Sequence, residues 1–233
     1  MTKLEKSGEL QFQGKNDLST AGLRRRVFLY YAGVGLASVS LAAAGCKKES
    51  QIEGVSLGSG DVGILNYVYA LEQLEAAFYI RVTESYYAGA TDAEKALLND
   101  IRDHEIAHRE FFKNALGGVA IPPLDFDFSG IDFSNRNAVL ESAIAFEDLG
   151  VSAYNGIGGI FEEEKYLTLT GKIVSVEARH AALIRNLISD GSFASTDLID
   201  ANGLEKARLP AEVLDIATAY ITTIINAEDL PTA

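Results

Sequence analysis

Residues 104–108 read His104-Glu105-Ile106-Ala107-His108, and residues 176–181 read Val176-Glu177-Ala178-Arg179-His180-Ala181. Each stretch contains Glu-x-x-His. At that spacing on a helix, both side chains leave from one face. The surroundings are helical by period. The first copy lies on a stripe of Leu98, Ile101, Glu105, His108 and Phe112, and the second on Ile173, Glu177, His180, Ile184 and Leu187. Apolar residues three or four apart make an inward face. Each Glu and His therefore takes a place where a core residue belongs. Nineteen of the 233 residues are glutamate, so a Glu three places before a given His is about a one-in-twelve coincidence, yet two of the three histidines have one.

Two further helices share another pattern. The first runs from about Asp61 to Ser85 with Leu65, Val68, Glu72, Ala76 and Tyr79 inward. The third runs from about Asn137 to Gly156 with Leu140, Ala143, Glu147, Val151 and Tyr154 inward. In both, a Glu precedes a Tyr by seven residues, which is two turns of the same face. Thr91-Asp92-Ala93-Glu94 has capping-box spacing and opens the second helix, which Gly117-Gly118 closes. The fourth helix spans about Tyr166 to Ser189. A shorter fifth starts near Pro210 and puts Val213, Leu214, Ala217, Tyr220 and Ile221 on one side.

The connections set the topology. Short loops join the first helix to the second and the third to the fourth, which makes each pair antiparallel. Between the second and third lies Gly117 to Arg136, with Pro122-Pro123 and the alternating Leu124-Asp125-Phe126-Asp127-Phe128. Some twenty extended residues reach about 60 Å, enough to travel the length of a helix of about 30 Å. The expected fold is all-α: a four-helix bundle with one long crossover, the ferritin-like arrangement, plus an extra C-terminal helix.

All four stripes carry a Glu where a bundle wants apolar residues. Ionised carboxylates in such a core cost several kcal/mol each unless compensated. Four glutamates carry a charge that two divalent cations balance, and two neutral imidazoles complete a ligand set. Oxygen and imidazole donors suit two iron ions, or manganese, better than soft-ligand metals. One Glu from each helix plus a His from two of them is the donor pattern of di-iron and di-manganese carboxylate bundles.

The chain resembles the ferritin-like domain family, more closely the kind that includes desiccation-related proteins. Leu71-Glu72-Gln73-Leu74-Glu75-Ala76-Ala77-Phe78-Tyr79 and the two Glu-x-x-His stretches carry the resemblance, which covers about Asp61 to Ile188. It implies metal ligands at Glu72, Glu105, His108, Glu147, Glu177 and His180, with Glu105 and Glu177 bridging. It also implies iron handling, or oxygen- or peroxide-linked redox turnover of the oxidase, peroxidase or catalase kind. Many members have no assigned reaction. A non-enzymatic cell-envelope stress or partner-binding protein with the same fold is the alternative.

Other polar residues have plainer readings. Glu75 competes with Glu72 for the inward position and is otherwise a second layer around it. His104, four residues before His108, is a surface or capping residue, or one that approaches the site. Tyr79 and Tyr154 are core residues with a satisfied hydroxyl, or catalytic groups that bond a ligand carboxylate or relay electrons.

The net charge of −13 speaks against nucleic acid or an anionic membrane surface as partner. A single cysteine excludes an intramolecular disulfide framework and a Cys-rich metal site. That cysteine ends an N-terminal address. Arg24-Arg25-Arg26 opens onto nineteen uncharged residues, Val27–Gly45, which finish in small residues. Arg25-Arg26-Val27-Phe28-Leu29 resembles a twin-arginine signal. Ala43-Ala44-Gly45-Cys46 resembles a lipobox, departing from it at Ala43. The expected organisation is a signal peptide over 1–45, a flexible tether over 46–60 and the ferritin-like domain over 61–233. Cys46 is then the lipidation site, and the protein is exported to the periplasm or cell envelope on a lipid anchor. Cleavage before Cys46 leaves 14 Lys/Arg and 30 Asp/Glu. The expected partners are metal ions, with oxygen or peroxide; oligomers are open.

Overall fold

The computed structural model describes residues 54–194 and 198–231. The signal, Cys46 and the first part of the tether lie outside the described residues. Four long helices form the bundle: α1 (Gly60–Glu84), α2 (Asp92–Leu116), α3 (Arg136–Ile157) and α4 (Glu164–Ile188). A fifth, α5, spans Pro210–Ala217. α1 packs along α2 and α3 along α4, and α1 faces α3 across the centre.

The helix starts hold one another in place. Thr91 and Glu94 form a reciprocal capping box, Glu94 N–H donating to Thr91 Oγ1 at 3.2 Å and Thr91 N–H to Glu94 Oε2 at 2.9 Å. Arg136, at the start of α3, donates to Glu94 Oε1 and to the Leu187 carbonyl, both at 2.7 Å. One guanidinium thus ties the start of α2 to the start of α3 and the end of α4. Asp61, in the first turn of α1, accepts the Glu162 and Glu163 N–H groups at 2.9 and 3.0 Å just before α4.

The crossover is held by two polar side chains inside the apolar run of α1. Asn66 donates to the carbonyls of Leu57 and Val119 and accepts the Ile121 N–H at 2.9 Å. Gln73, two turns on, donates to Pro122 O and accepts the Leu124 N–H. Buried backbone groups of an extended strip need such partners. They explain why residues of α1 are buried nearly all round.

The two ends of the domain also meet. Strand β1 (Val55–Ser56) pairs in parallel with β2 (Ile225–Asn226), and Leu57 beside it is fully buried. The packed domain therefore takes in residues 55–57, inside the stretch 46–60 expected as a tether. The fifth helix is shorter than its period suggests. Tyr220 and Ile221 fall beyond it, where Ile221 bridges Phe126 of the crossover and Tyr220 packs edge-on against Phe146. The segment before α5 lies on α3 at Gly156, where a Cβ would stand 1.7 Å from the Arg208 carbonyl oxygen. Among the described residues, no helix is long and apolar enough to cross a membrane.

Candidate metal centre

Glu72 from α1, Glu105 from α2, Glu147 from α3 and Glu177 from α4 are all fully buried and meet in the middle of the bundle. His108 and His180, one turn after Glu105 and Glu177, close the cluster from the α2 and α4 side. Two groups can each hold a metal ion. One is Glu72, Glu105, His108 and Glu177; the other is Glu105, Glu147, Glu177 and His180. Within each, one donor atom per residue lies within 4.8 Å of the others. Glu105 and Glu177 belong to both groups. The six residues expected as ligands from the sequence are the six brought together.

The donor atoms are short of partners. His108 Nδ1 lies 2.7 Å from Glu177 Oε1, and His180 Nδ1 lies 2.8 Å from Glu105 Oε1. These are approaches without hydrogen-bond geometry. Among the described residues, both oxygens of Glu105 and Glu177, Glu72 Oε2, Glu147 Oε2 and both histidine Nδ1 atoms have no hydrogen-bond partner. Buried polar atoms are almost always satisfied. Eight unsatisfied donor-type atoms converging from four helices fit a cation between them.

The electrostatics point the same way. Burial, then the Glu177 charge, raises Glu72 to about 8 despite the help of His108. Burial also raises Glu147 to about 8, against the pull of His180. Burial acts to raise Glu177 too, but the two imidazoles outweigh it and hold it at about 2. Burial works against the charged histidines, yet the carboxylates prevail. They push His180 up to about 12 and His108 well above the imidazole range. The cluster demands positive charge, which protons or metal ions can supply.

The ferritin-like domain family model matches residues 60–190. The chain belongs to this family. No curated protein matches it. The matched span of this ferritin-like domain runs from the first residue of α1 to just past α4, and so contains all six donors.

The tyrosines bond across the bundle rather than along their own helices. Tyr79 of α1 donates to Glu147 Oε1 of α3 at 2.5 Å, and Tyr154 of α3 donates to Glu72 Oε1 of α1. Burial pushes both phenols well above their ordinary range, with the accepting carboxylates adding to it, so both stay protonated donors.

Two further polar residues lie next to the donor groups. Glu75 is buried but belongs to neither donor group, and its Oε2 is unpartnered. Its carboxylate fills the place of a side chain at Gly150, where a Cβ would lie 2.7 Å from Glu75 Oε1. Burial, then the four other glutamates, holds Glu75 well above the carboxylate range. His104 reaches the site: its Nδ1 lies 2.9 Å from His180 Nε2, with the two ring planes 15° from parallel. The signal for His104 was its place one residue before Glu105, on the side that turns toward α4.

Proposed function

We propose that this ferritin-like domain holds two redox-active divalent cations, iron or manganese, for oxygen- or peroxide-linked redox chemistry or iron handling. The observation that carries this reading is the convergence of eight unpartnered donor atoms in two groups sharing Glu105 and Glu177. In it, Glu72 and His108 serve one position, Glu147 and His180 the other, and Glu105 and Glu177 bridge. A bound pair would supply Lewis acidity and one-electron steps toward oxygen or peroxide.

The chain's own residues do the rest. The four carboxylates neutralise the cations in a setting of low polarity. Tyr79 and Tyr154 each hold one oxygen of a non-bridging glutamate and leave its other oxygen to face inward. Hydrogen bonds of this kind fix ligand orientation and tune the metal. The apolar sides of the four helices keep bulk water from the pair.

The N-terminal pattern adds a location to this proposal. Export through a twin-arginine route, with Cys46 carrying lipid, would put the domain in the periplasm or cell envelope. That route takes proteins already folded, which suits a domain loaded with metal before it crosses.

Metal analysis of protein produced with iron tests the reading. About two metals per chain are expected, with binding abolished in Glu105→Ala and reduced to about one per chain in His180→Ala. Ultraviolet–visible spectra after oxygen or peroxide is added to the reduced protein should then change. Full loading of both variants, or no loading of the wild type, would overturn the proposal.

A further inference from the structure

We propose that His104 is a positioning residue for His180, and that it makes the two cation positions unequal. The position served by His180 is held more firmly than the one served by His108. This rests on the two-cation reading above.

The geometry divides the two nitrogens of His180. Its Nδ1 faces Glu105 Oε1 at 2.8 Å, Glu147 Oε2 at 3.4 Å and Glu177 Oε2 at 3.5 Å. Its Nε2 faces His104 Nδ1 at 2.9 Å. The two rings lie 5.2 Å apart and 15° from parallel. If the Nδ1 lone pair goes to a cation, the neutral ring must carry its proton on Nε2. That N–H then donates to His104 Nδ1, and His104 must carry its own proton on Nε2. One arrangement of protons satisfies both rings, so His104 fixes the tautomer and the ring plane of His180 together.

His108 has no such support. His104 stands one residue before Glu105 on α2, and the matching place on α4, one residue before Glu177, is Val176. Valine offers no acceptor. Among the described residues none hydrogen-bonds His108 Nε2. The His108 side chain is also the more open of the two, 14% accessible against 5% for His180. The repeat of Glu-x-x-His is thus symmetric in its donors and unsymmetric in what stands behind them.

Loss of such a partner costs about 10- to 100-fold in metal affinity. The test uses the full-length chain loaded with Zn²⁺, a spectroscopically silent stand-in for the cations. Release to a chromophoric chelator should show a fast and a slow phase of equal size. His104→Ala should speed the slow phase about 10- to 100-fold and leave the fast phase within about twofold. His104→Asn, which keeps an acceptor near the Nδ1 position, should restore the slow phase. Long-range ¹H–¹⁵N correlation spectra should show His180 bound through Nδ1 with a proton on Nε2.

Unchanged release in His104→Ala would overturn the proposal. So would equal acceleration of both phases, or metal on His180 Nε2. If the wild type takes up two ions and only these outcomes appear, His104 loses its role and the two-cation reading stands. If the wild type takes up none, both fall.

Discussion

Tyr79 and Glu147 belong to different helices, yet the Tyr79 hydroxyl donates to Glu147 Oε1 at 2.5 Å, and Tyr154 returns the bond from the helix of Glu147 to Glu72 on that of Tyr79. The pair of bonds forms a two-way brace across the centre of the bundle. Each brace engages one oxygen of a glutamate whose other oxygen is unpartnered. Tyr79→Phe and Tyr154→Phe should therefore each weaken cation binding about 10- to 100-fold. Each should also destabilise the metal-free protein by about 1–3 kcal/mol. Chelator competition and urea unfolding measure the two effects. Unchanged affinity in the double variant would count against the brace.

Removing different glutamates should have different consequences. Glu105 and Glu177 belong to both donor groups, Glu72 and Glu147 to one each. Glu105→Gln should lose both metals, whereas Glu72→Gln and Glu147→Gln should each retain about one per chain, the remaining donors still forming one full group. Elemental analysis after gel filtration gives the counts. Equal losses in all three variants would contradict the overlap of the two groups.

Metal uptake should release protons. Without a cation, Glu72 and Glu147 are raised to about 8, His180 to about 12 and His108 above the imidazole range. At neutral pH these four groups hold protons, and a cation must displace up to one from each. Affinity should then rise with pH between about 6 and 8. An indicator dye in weak buffer reads the release. Affinity that falls over this interval would oppose the assignment.

Glu94 sets an acid limit on stability. Burial acts to raise it, but the Thr91 N–H and Arg136 hold it at about 2. A depressed carboxyl stabilises the fold above its unfolded pKa of about 4.3 and loses that effect as pH falls toward the folded value. Glu94→Gln should cost about 1–2 kcal/mol at pH 7, and the gap to wild type should close between about pH 4 and pH 2. Thermal unfolding across that range decides it.

Gly156 marks where the C-terminal segment docks. A Cβ there meets the Arg208 carbonyl, and Arg208 N–H donates to Ser152 O at 2.9 Å. Gly156→Ala should cost about 1–3 kcal/mol and expose the segment around residues 198–209 to protease. Digestion at the wild-type rate would show that the contact gives way freely.

Much of the bundle was readable because its signals are local. The Thr91–Glu94 box, the helix bounds within a residue or two, and the two Glu-x-x-His faces need only spacing along one helix. The tyrosine braces depend on the register between α1 and α3, which period alone does not set. Asn66 and Gln73 sit in an apolar run and show their purpose only once the crossover lies over them. The fifth helix was overextended because Tyr220 and Ile221 keep its period while their partners, Phe146 and Phe126, draw them out of it. Period alone leaves the role of His104 open for a similar reason: its partner, His180, is on another helix.

The pairing of Val55 with Ile225 has a bearing on how the domain comes to be. Nearly the whole fold separates those residues in the chain, so their contact carries a large loop-closure entropy. The bundle can assemble from neighbouring helices first, while the clasp must wait for the tail. The clasp joins the two ends of the domain, and a chain cut short before β2 would leave β1 without its partner strand.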